Sequence, residues 1–298
     1  MNTFIYDRKR AKFIVGQGSD CITSPLLINW NIIGDCCNSC AYCYGYDIRS
    51  HKTALREKEL EEMLCHLESI HPLVLVITGG EPLLCDGIFY IVERISKFAN
   101  VILDTNGLLL DEKTVKRLKE SKLHLRISLD SDLSYINEKV RKSGVKNSTE
   151  KIKSAIKTCT LEGMDLTVQT VVSSVNIEHL GSLFTFLKAT GVKNWRLLDV
   201  VTNPNCSNLS LTKKQEQLLQ EKVNEFINQA PDMFITYVNE KNTKDNNVIL
   251  INPKGEYLYR PAGCAQKQFI CKNDPKKPSL DQIMESLDVK AHIRRYVI

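Results

Sequence analysis

Four cysteines fall within the eight residues Cys36-Cys37-Asn38-Ser39-Cys40-Ala41-Tyr42-Cys43, and three of them, Cys36, Cys40 and Cys43, are spaced C-x-x-x-C-x-x-C. The segment follows the apolar, strand-like run from Leu26 to Ile33 and is short enough to wrap its sulfurs around one inorganic centre. Thiolates are soft ligands that select zinc or iron–sulfur clusters over hard cations. Three ligands where a tetrahedral site or a cubane takes four leave one position open for chemistry. Other groupings of these thiols fit less well. A structural zinc site usually joins two C-x-x-C pairs; Cys37 and Cys40 make one, but Cys264 and Cys271 are too widely spaced to make the second. Cys37, Cys40 and Cys43 begin a ferredoxin run, yet the fourth cysteine before a proline that completes it is absent. A non-catalytic iron–sulfur or zinc protein stands as the alternative of another class.

The chain carries eleven cysteines. It shows no apolar run of the ~18–20 residues that cross a membrane, and its first fifteen residues have no signal-peptide core. A cytoplasmic location is therefore expected, where thiols stay reduced and serve metal or redox chemistry rather than disulfides. The net charge of +5 lies largely in helical stretches such as Lys113 to Lys122 and Lys142 to Lys157, which read as solvated faces. Nucleic acid is not an expected partner.

From residue 26 onward, strand-like runs alternate with helical ones. The strands are Leu26–Ile32, Leu73–Ile77, Val101–Asp104, Leu123–Leu129, Leu166–Val172 and Trp195–Val200. Between them, Leu60, Met63, Leu64 and Leu67 keep the i, i+3, i+4, i+7 spacing of a helix face, as do Ile152, Ala155, Ile156 and Cys159, and Leu180, Leu183, Phe184 and Leu187. Such alternation predicts a parallel β/α assembly of the α/β class, with its site at the C-terminal strand ends. The noteworthy polar groups sit there. The cysteine loop follows the first strand, Gly79-Gly80-Glu81-Pro82 the second and Thr105-Asn106-Gly107 the third. The fourth strand places His124, Arg126, Ser128 and Asp130 on one face and Leu123, Leu125, Ile127 and Leu129 on the other. Buried parallel strands normally read apolar on both faces, so the polar face predicts a hydrated or ligand-lined lumen.

With Tyr42 before its last cysteine, the spacing resembles the signature of the radical S-adenosylmethionine (radical SAM) superfamily. The resemblance runs from about Ile28 to Val201 and takes in Gly79–Pro82, Thr105–Gly107 and Ser128-Leu129-Asp130-Ser131. It implies a partial (β/α)6 TIM-like barrel with a short α/β C-terminal extension. It also implies that Cys36, Cys40 and Cys43 bind three irons of a [4Fe–4S] cluster whose fourth iron is chelated by SAM. Tyr42 would lie by the adenine. Gly79, Gly80, Glu81 and Pro82 would receive the ammonium, Ser128 the ribose and Arg141 the carboxylate, with Asn106 and Asp130 completing the cofactor-binding candidates. The implied enzyme cleaves SAM reductively and abstracts hydrogen from a substrate, with a one-electron reductant such as flavodoxin or ferredoxin as partner. No catalytic side chain is assigned. Cys21, Cys65, Cys85 and Cys159 read as bystanders in apolar or loop positions.

The expected organisation is an N-terminal arm over 1–25 with a Gly16-Gln17-Gly18 turn, a barrel over 26–205 and a C-terminal cap or substrate region over 206–298. Asn203-Pro204-Asn205 reads as a break, and Leu219, Val223, Phe226 and Ile227 mark a further helix. Val248–Ile251 and Tyr257–Tyr259 read as a hairpin about Asn252–Gly255. That hairpin resembles the opening of the SPASM extension of peptide-modifying radical SAM enzymes. The region offers only Cys206, Cys264 and Cys271 as ligands, so at most one further cluster is expected. A peptide or small-metabolite substrate is slightly favoured over the nucleoside triphosphate of a viperin-like enzyme. Triphosphates want several Arg or Lys donors, whereas Thr167, Gln169 and Val171 carry no charge and Arg196 stands alone on its strand. A charged pocket from Arg260, Lys267, Lys272, Arg294 and Arg295 would reverse that preference.

Overall fold

The computed structural model describes residues 4–15, 22–43, 45, 54–201, 206–238, 248–259 and 267–296. The Gly16–Gly18 turn, the 203–205 break, Cys21, Cys264 and Arg260 lie outside them. In chain order the elements are β1 (Phe4–Asp7), β2 (Lys12–Val15), β3 (Leu27–Asn31), β4 (Asn38–Cys40), α1 (Glu57–Ile70), β5 (Val74–Thr78), α2 (Ile88–Ile95), β6 (Asn100–Thr105), α3 (Glu112–Glu120), β7 (His124–Ser128), α4 (Ser134–Val140) and β8 (Arg141–Ser143). They continue as α5 (Ser148–Leu161), β9 (Leu166–Val172), α6 (Leu180–Thr190), β10 (Asn194–Asp199), α7 (Lys213–Gln229), β11 (Phe234–Val238), β12 (Ile249–Ile251), β13 (Tyr257–Tyr259), β14 (Gln268–Phe269), α8 (Leu280–Glu285) and α9 (Val289–Tyr296). The alternation is that of the α/β class, and each anticipated strand is present within two residues of its expected ends.

Two compact units organise these elements. One comprises residues 1–36, 45–104 and 243–298; the other, 37–44 and 105–242. In the first, the strands run in the order β6-β5-β3-β12-β13-β14. β6, β5, β3 and β12 pair in parallel, while β13 and β14 add antiparallel partners. Two-sided burial of β5, whose Val74, Leu75, Val76 and Ile77 are all inaccessible to solvent, accounts for its unbroken apolar sequence. The hairpin β1–β2 packs Phe4, Tyr6 and Phe13 against Leu26, Leu27, Val74, Val76 and Ile102, together with Ile293 and Tyr296 of α9.

The second unit orders its strands β7-β9-β10-β11, all parallel. The expected helix faces are the buried ones: Ile152, Ala155, Ile156 and Cys159 on α5, and Leu180, Leu183, Phe184 and Leu187 on α6. α7 opens with a capping box in which Thr212 accepts from the Gln215 backbone N–H at 3.3 Å while the Gln215 side chain reaches back to Thr212. That satisfies two otherwise orphaned groups. β11 is a strand that the helical and alternating patterns did not single out. It sets Tyr237 beside Leu197, with the Tyr237 hydroxyl on Asp199.

The polar face of β7 is only partly the wet surface the alternation implied. His124 is fully buried, its Nε2 2.8 Å from Thr167 Oγ1 on β9. Further along, Ser128, Gln169, Arg196 and Thr236 stand in register across β7, β9, β10 and β11, and Arg196 donates to Gln169 at 3.1 Å. No helix among the described residues is long and apolar enough to cross a membrane.

Candidate functional site

In the first unit, the chain after β3 is laid against the turn after β5. Ile32 donates to Thr78 O at 3.0 Å, Gly80 to Ile33 O at 2.7 Å and Glu81 to Asp35 O at 2.8 Å. This backbone ladder delivers the chain to Cys36, and only glycine permits it. A Cβ at Gly79, whose φ is +148°, would lie 2.5 Å from Ile33 O; one at Gly80 would lie 2.0 Å from Asp35 O. The Gly-Gly pair is thus required by close backbone approach as well as by turning. Glu81 is fully buried, and its carboxylate caps the short turn Pro82–Leu84 by accepting from Leu83 N at 3.1 Å.

In the second unit, the rest of the cysteine loop is held from three sides. β4 pairs with β8, placing Cys40 opposite Arg141, and Ala41 N donates to Val140 O at 2.9 Å. Asn106 donates to Cys37 Sγ at 3.1 Å while its own Oδ1 accepts from Leu108 N, so this candidate steadies the non-signature thiol. Tyr42 packs with Val140, Val200, Cys206 and Leu209. Its hydroxyl donates to Asp130 Oδ2 and accepts from Arg141 Nη1 at 2.9 Å.

Asp130 is the centre of that arrangement. Its Oδ1 accepts from Val171 N at 2.9 Å, its own N–H donates to Asn137 Oδ1 at 3.1 Å, and its carbonyl accepts from Asn176 Nδ2 at 2.9 Å. Burial lifts the Asp130 carboxyl, opposed by Arg141 and by the Tyr42 hydrogen bond. Burial likewise pushes the Tyr42 hydroxyl well up, against the pull of Arg141. For Arg141, burial works against the charge, but Tyr42, Cys40 and Asp130 together outweigh it and keep the guanidinium protonated. The basic run around residue 142 reads as a solvated face, yet Arg141 itself is buried. The reason is its neighbour: Tyr42 and Asp130 supply the acceptors that make a buried cation tolerable. Asn137, inside α4, and Asn176, in the turn after β9, pin Asp130 and were not legible from spacing, because a lone asparagine in a helix or a turn carries no periodic signal.

Cys36, Cys40 and Cys43 are partly accessible and not in disulfides. Among the described residues, no group of three or more His, Cys, Asp or Glu side chains is gathered as a metal site. The fit of an iron–sulfur cluster to these thiols therefore rests on donor chemistry and on Arg141. Arg141 Nε is buried with no hydrogen-bond partner among the described residues, a donor left over for an anionic group. Ser128 stands half-buried at the end of β7. The remaining thiols are unlike the signature ones. Cys206 is fully buried in the apolar cluster beneath Tyr42, and Cys159 is buried on α5 with its thiol pushed up to about 12. Cys271 accepts from Gln282 Nε2 at 3.6 Å.

A family model described as the radical SAM superfamily matches residues 30–187, more than half of the 298 residues. The AdoMet-dependent heme synthase of Methanosarcina barkeri is 25% identical over 181 residues, covering 60% of this chain and 51% of that one. The GTP 3',8-cyclase of Peptoclostridium acidaminophilum is 35% identical over 133 residues, covering 42% of this chain and 40% of that one. The solved structure of anSMEcpe with bound AdoMet and Cp18Cys peptide superposes with a TM-score of 0.69 at 16% identity, over 92% of this chain and 82% of that one. The chain thus spans about half the length of the curated relatives it matches, and the likeness to the solved structure is one of fold.

Proposed function

The chain belongs to the radical SAM superfamily, and from that membership we propose that Cys36, Cys40 and Cys43 hold the family's [4Fe–4S] cluster and that the chain's own polar groups position SAM for reductive cleavage. The cluster, when bound, supplies the electron that splits SAM into methionine and a 5′-deoxyadenosyl radical, which takes a hydrogen atom from the substrate. The protein's part is to bind, orient and exclude water. Arg141 offers its spare Nε–H to the SAM carboxylate, Ser128 its hydroxyl to the ribose and Tyr42 its ring to the adenine. Gly79, Gly80, Glu81 and Pro82 receive the ammonium. Asn106 keeps Cys37 out of the ligand set. The observation that carries this reading is the buried Arg141, held by Tyr42 of the cysteine loop, whose Nε has no hydrogen-bond partner among the described residues. A one-electron reductant of the flavodoxin or ferredoxin kind is the expected partner.

For the substrate, we favour a peptide or small metabolite. The in-register row Ser128, Gln169, Arg196 and Thr236 is rich in neutral hydrogen-bonding groups that suit amides, and a structure of like fold holds a peptide. A nucleoside triphosphate is the second reading, favoured by the similarity to a GTP 3',8-cyclase and by Arg126, which joins Arg196 on the same face of the strands.

The test is anaerobic purification and reconstitution, followed by iron and sulfide analysis and EPR with and without SAM. About four irons per chain, as one cubane requires, a spectrum altered by SAM, and 5′-deoxyadenosine formed with dithionite but not by Cys40→Ala are the expected results. Bound zinc, or a spectrum indifferent to SAM, would overturn the proposal. Stimulation of 5′-deoxyadenosine formation by candidate peptides or by GTP separates the two substrate readings.

A further inference from the structure

Arg141, Tyr42 and Asp130 form a relay of three buried groups. Arg141 Nη1 donates to the Tyr42 oxygen, and the Tyr42 hydroxyl donates to Asp130 Oδ2. Both carboxylate oxygens of Asp130 accept hydrogen bonds, the second from Val171 N, so the residue is placed as an anion. Its side chain is wholly buried, and Arg141 Nη1 lies 3.8 Å from Asp130 Oδ2. The other end of the relay is Cys40, which stands directly opposite Arg141 in the β4–β8 pairing. Asp130 therefore stands behind a fixed cation that stands beside a cluster ligand.

We propose that Asp130 is the positioning residue of the cysteine loop, holding Arg141 beside Cys40 through Tyr42 and partly neutralising it, so that the pair sets the charge felt by a cluster on that loop. The inference rests on the cluster assignment above. The physics is that of fixed charges in a water-poor site. An uncompensated cation near a cluster favours its more negative, reduced form; removing the cation favours the oxidised form. Asn at position 130 would also reverse the relay, because an amide nitrogen turned toward Tyr42 donates where the carboxylate accepts.

The experiment is an EPR-monitored redox titration of the reconstituted cluster, made without SAM so that ligand binding does not enter, on wild type, Asp130→Asn, Arg141→Gln and the double variant. The expected midpoint potential rises in Asp130→Asn, falls in Arg141→Gln and returns close to the wild-type value in the double variant. A residue that only braces the fold would lower cluster content or melting temperature and leave the potential of the clusters that form where it was, which overturns the proposal. If Asp130→Asn does not load, the double variant decides: a potential back near the wild-type value supports the pairing, and one as low as in Arg141→Gln overturns it. A wild-type chain that forms no [4Fe–4S] cluster sinks the cluster assignment; a loaded wild type with unshifted variants sinks only this inference.

Discussion

Gly80 shows how one missing methyl group shapes the site. Its N–H bonds Ile33 O, and any Cβ there would meet Asp35 O at 2.0 Å, well inside van der Waals contact with rigid backbone. Gly80→Ala must therefore push apart the two segments that bring the chain to Cys36. We expect a loss of roughly 2 kcal/mol or more, the range of backbone clashes that cannot relax. The check is the denaturant midpoint, alongside iron content after reconstitution; an unchanged midpoint would show that the ladder yields. Gly144, by contrast, has nothing within 4 Å of where a Cβ would stand, and Gly144→Ala is the matched control. Arg141 marks the limit of reading at this scale. A basic residue next to Lys142 looks like surface in one dimension, and only the pairing of β4 with β8 brings it to Tyr42.

At the scale of elements, what was legible was what is periodic. Of the strands, β5 was legible because two-sided burial writes it as a continuous apolar run and β7 because its polar and apolar residues alternate, and α1, α5 and α6 were legible because one-sided burial writes a stripe. β11 escaped because five residues, Phe-Ile-Thr-Tyr-Val, are half-buried and follow a long polar helix. The α7 stripe carries the firmest consequence. Phe226 stacks on Phe184 of α6 at 4.5 Å and tilts against Trp195 of β10 at 5.5 Å, so one aromatic cluster fastens two helices to a strand. Trp195 is itself anchored by its Nε1 on Thr170 Oγ1 at 2.9 Å. Phe226→Ala should destabilise the protein by about 3–5 kcal/mol, the usual cost of emptying an aromatic core position. Denaturation followed by tryptophan fluorescence measures it. A loss below about 1 kcal/mol would mean that the cluster collapses to fill the space.

At the scale of the molecule, the segment after residue 242 belongs to the same compact unit as the first strands of the chain. β12 pairs in parallel with β3, through Ile249 with Ile28 and Ile251 with Trp30, and Asn31 of β3 reaches across to Ile251 O at 3.2 Å. Tyr257 of β13 is fully buried with its hydroxyl 3.7 Å from Met63 of α1, and Leu26 N donates to His292 of α9 at 3.1 Å. Sequence reading recognised the hairpin but had no means of seeing its partner, because the pairing joins residues more than two hundred positions apart. A chain ending at Asn242 would leave β3 with an exposed, apolar edge of unpaired backbone groups, the arrangement that recruits other chains. We expect that truncation to abolish the cooperative melt of the full chain and to favour aggregation, read by calorimetry and light scattering. A truncated protein that stayed monomeric and melted as the full chain does would show that the pairing of β12 with β3 contributes nothing to holding in place the strand that leads into the cysteine loop.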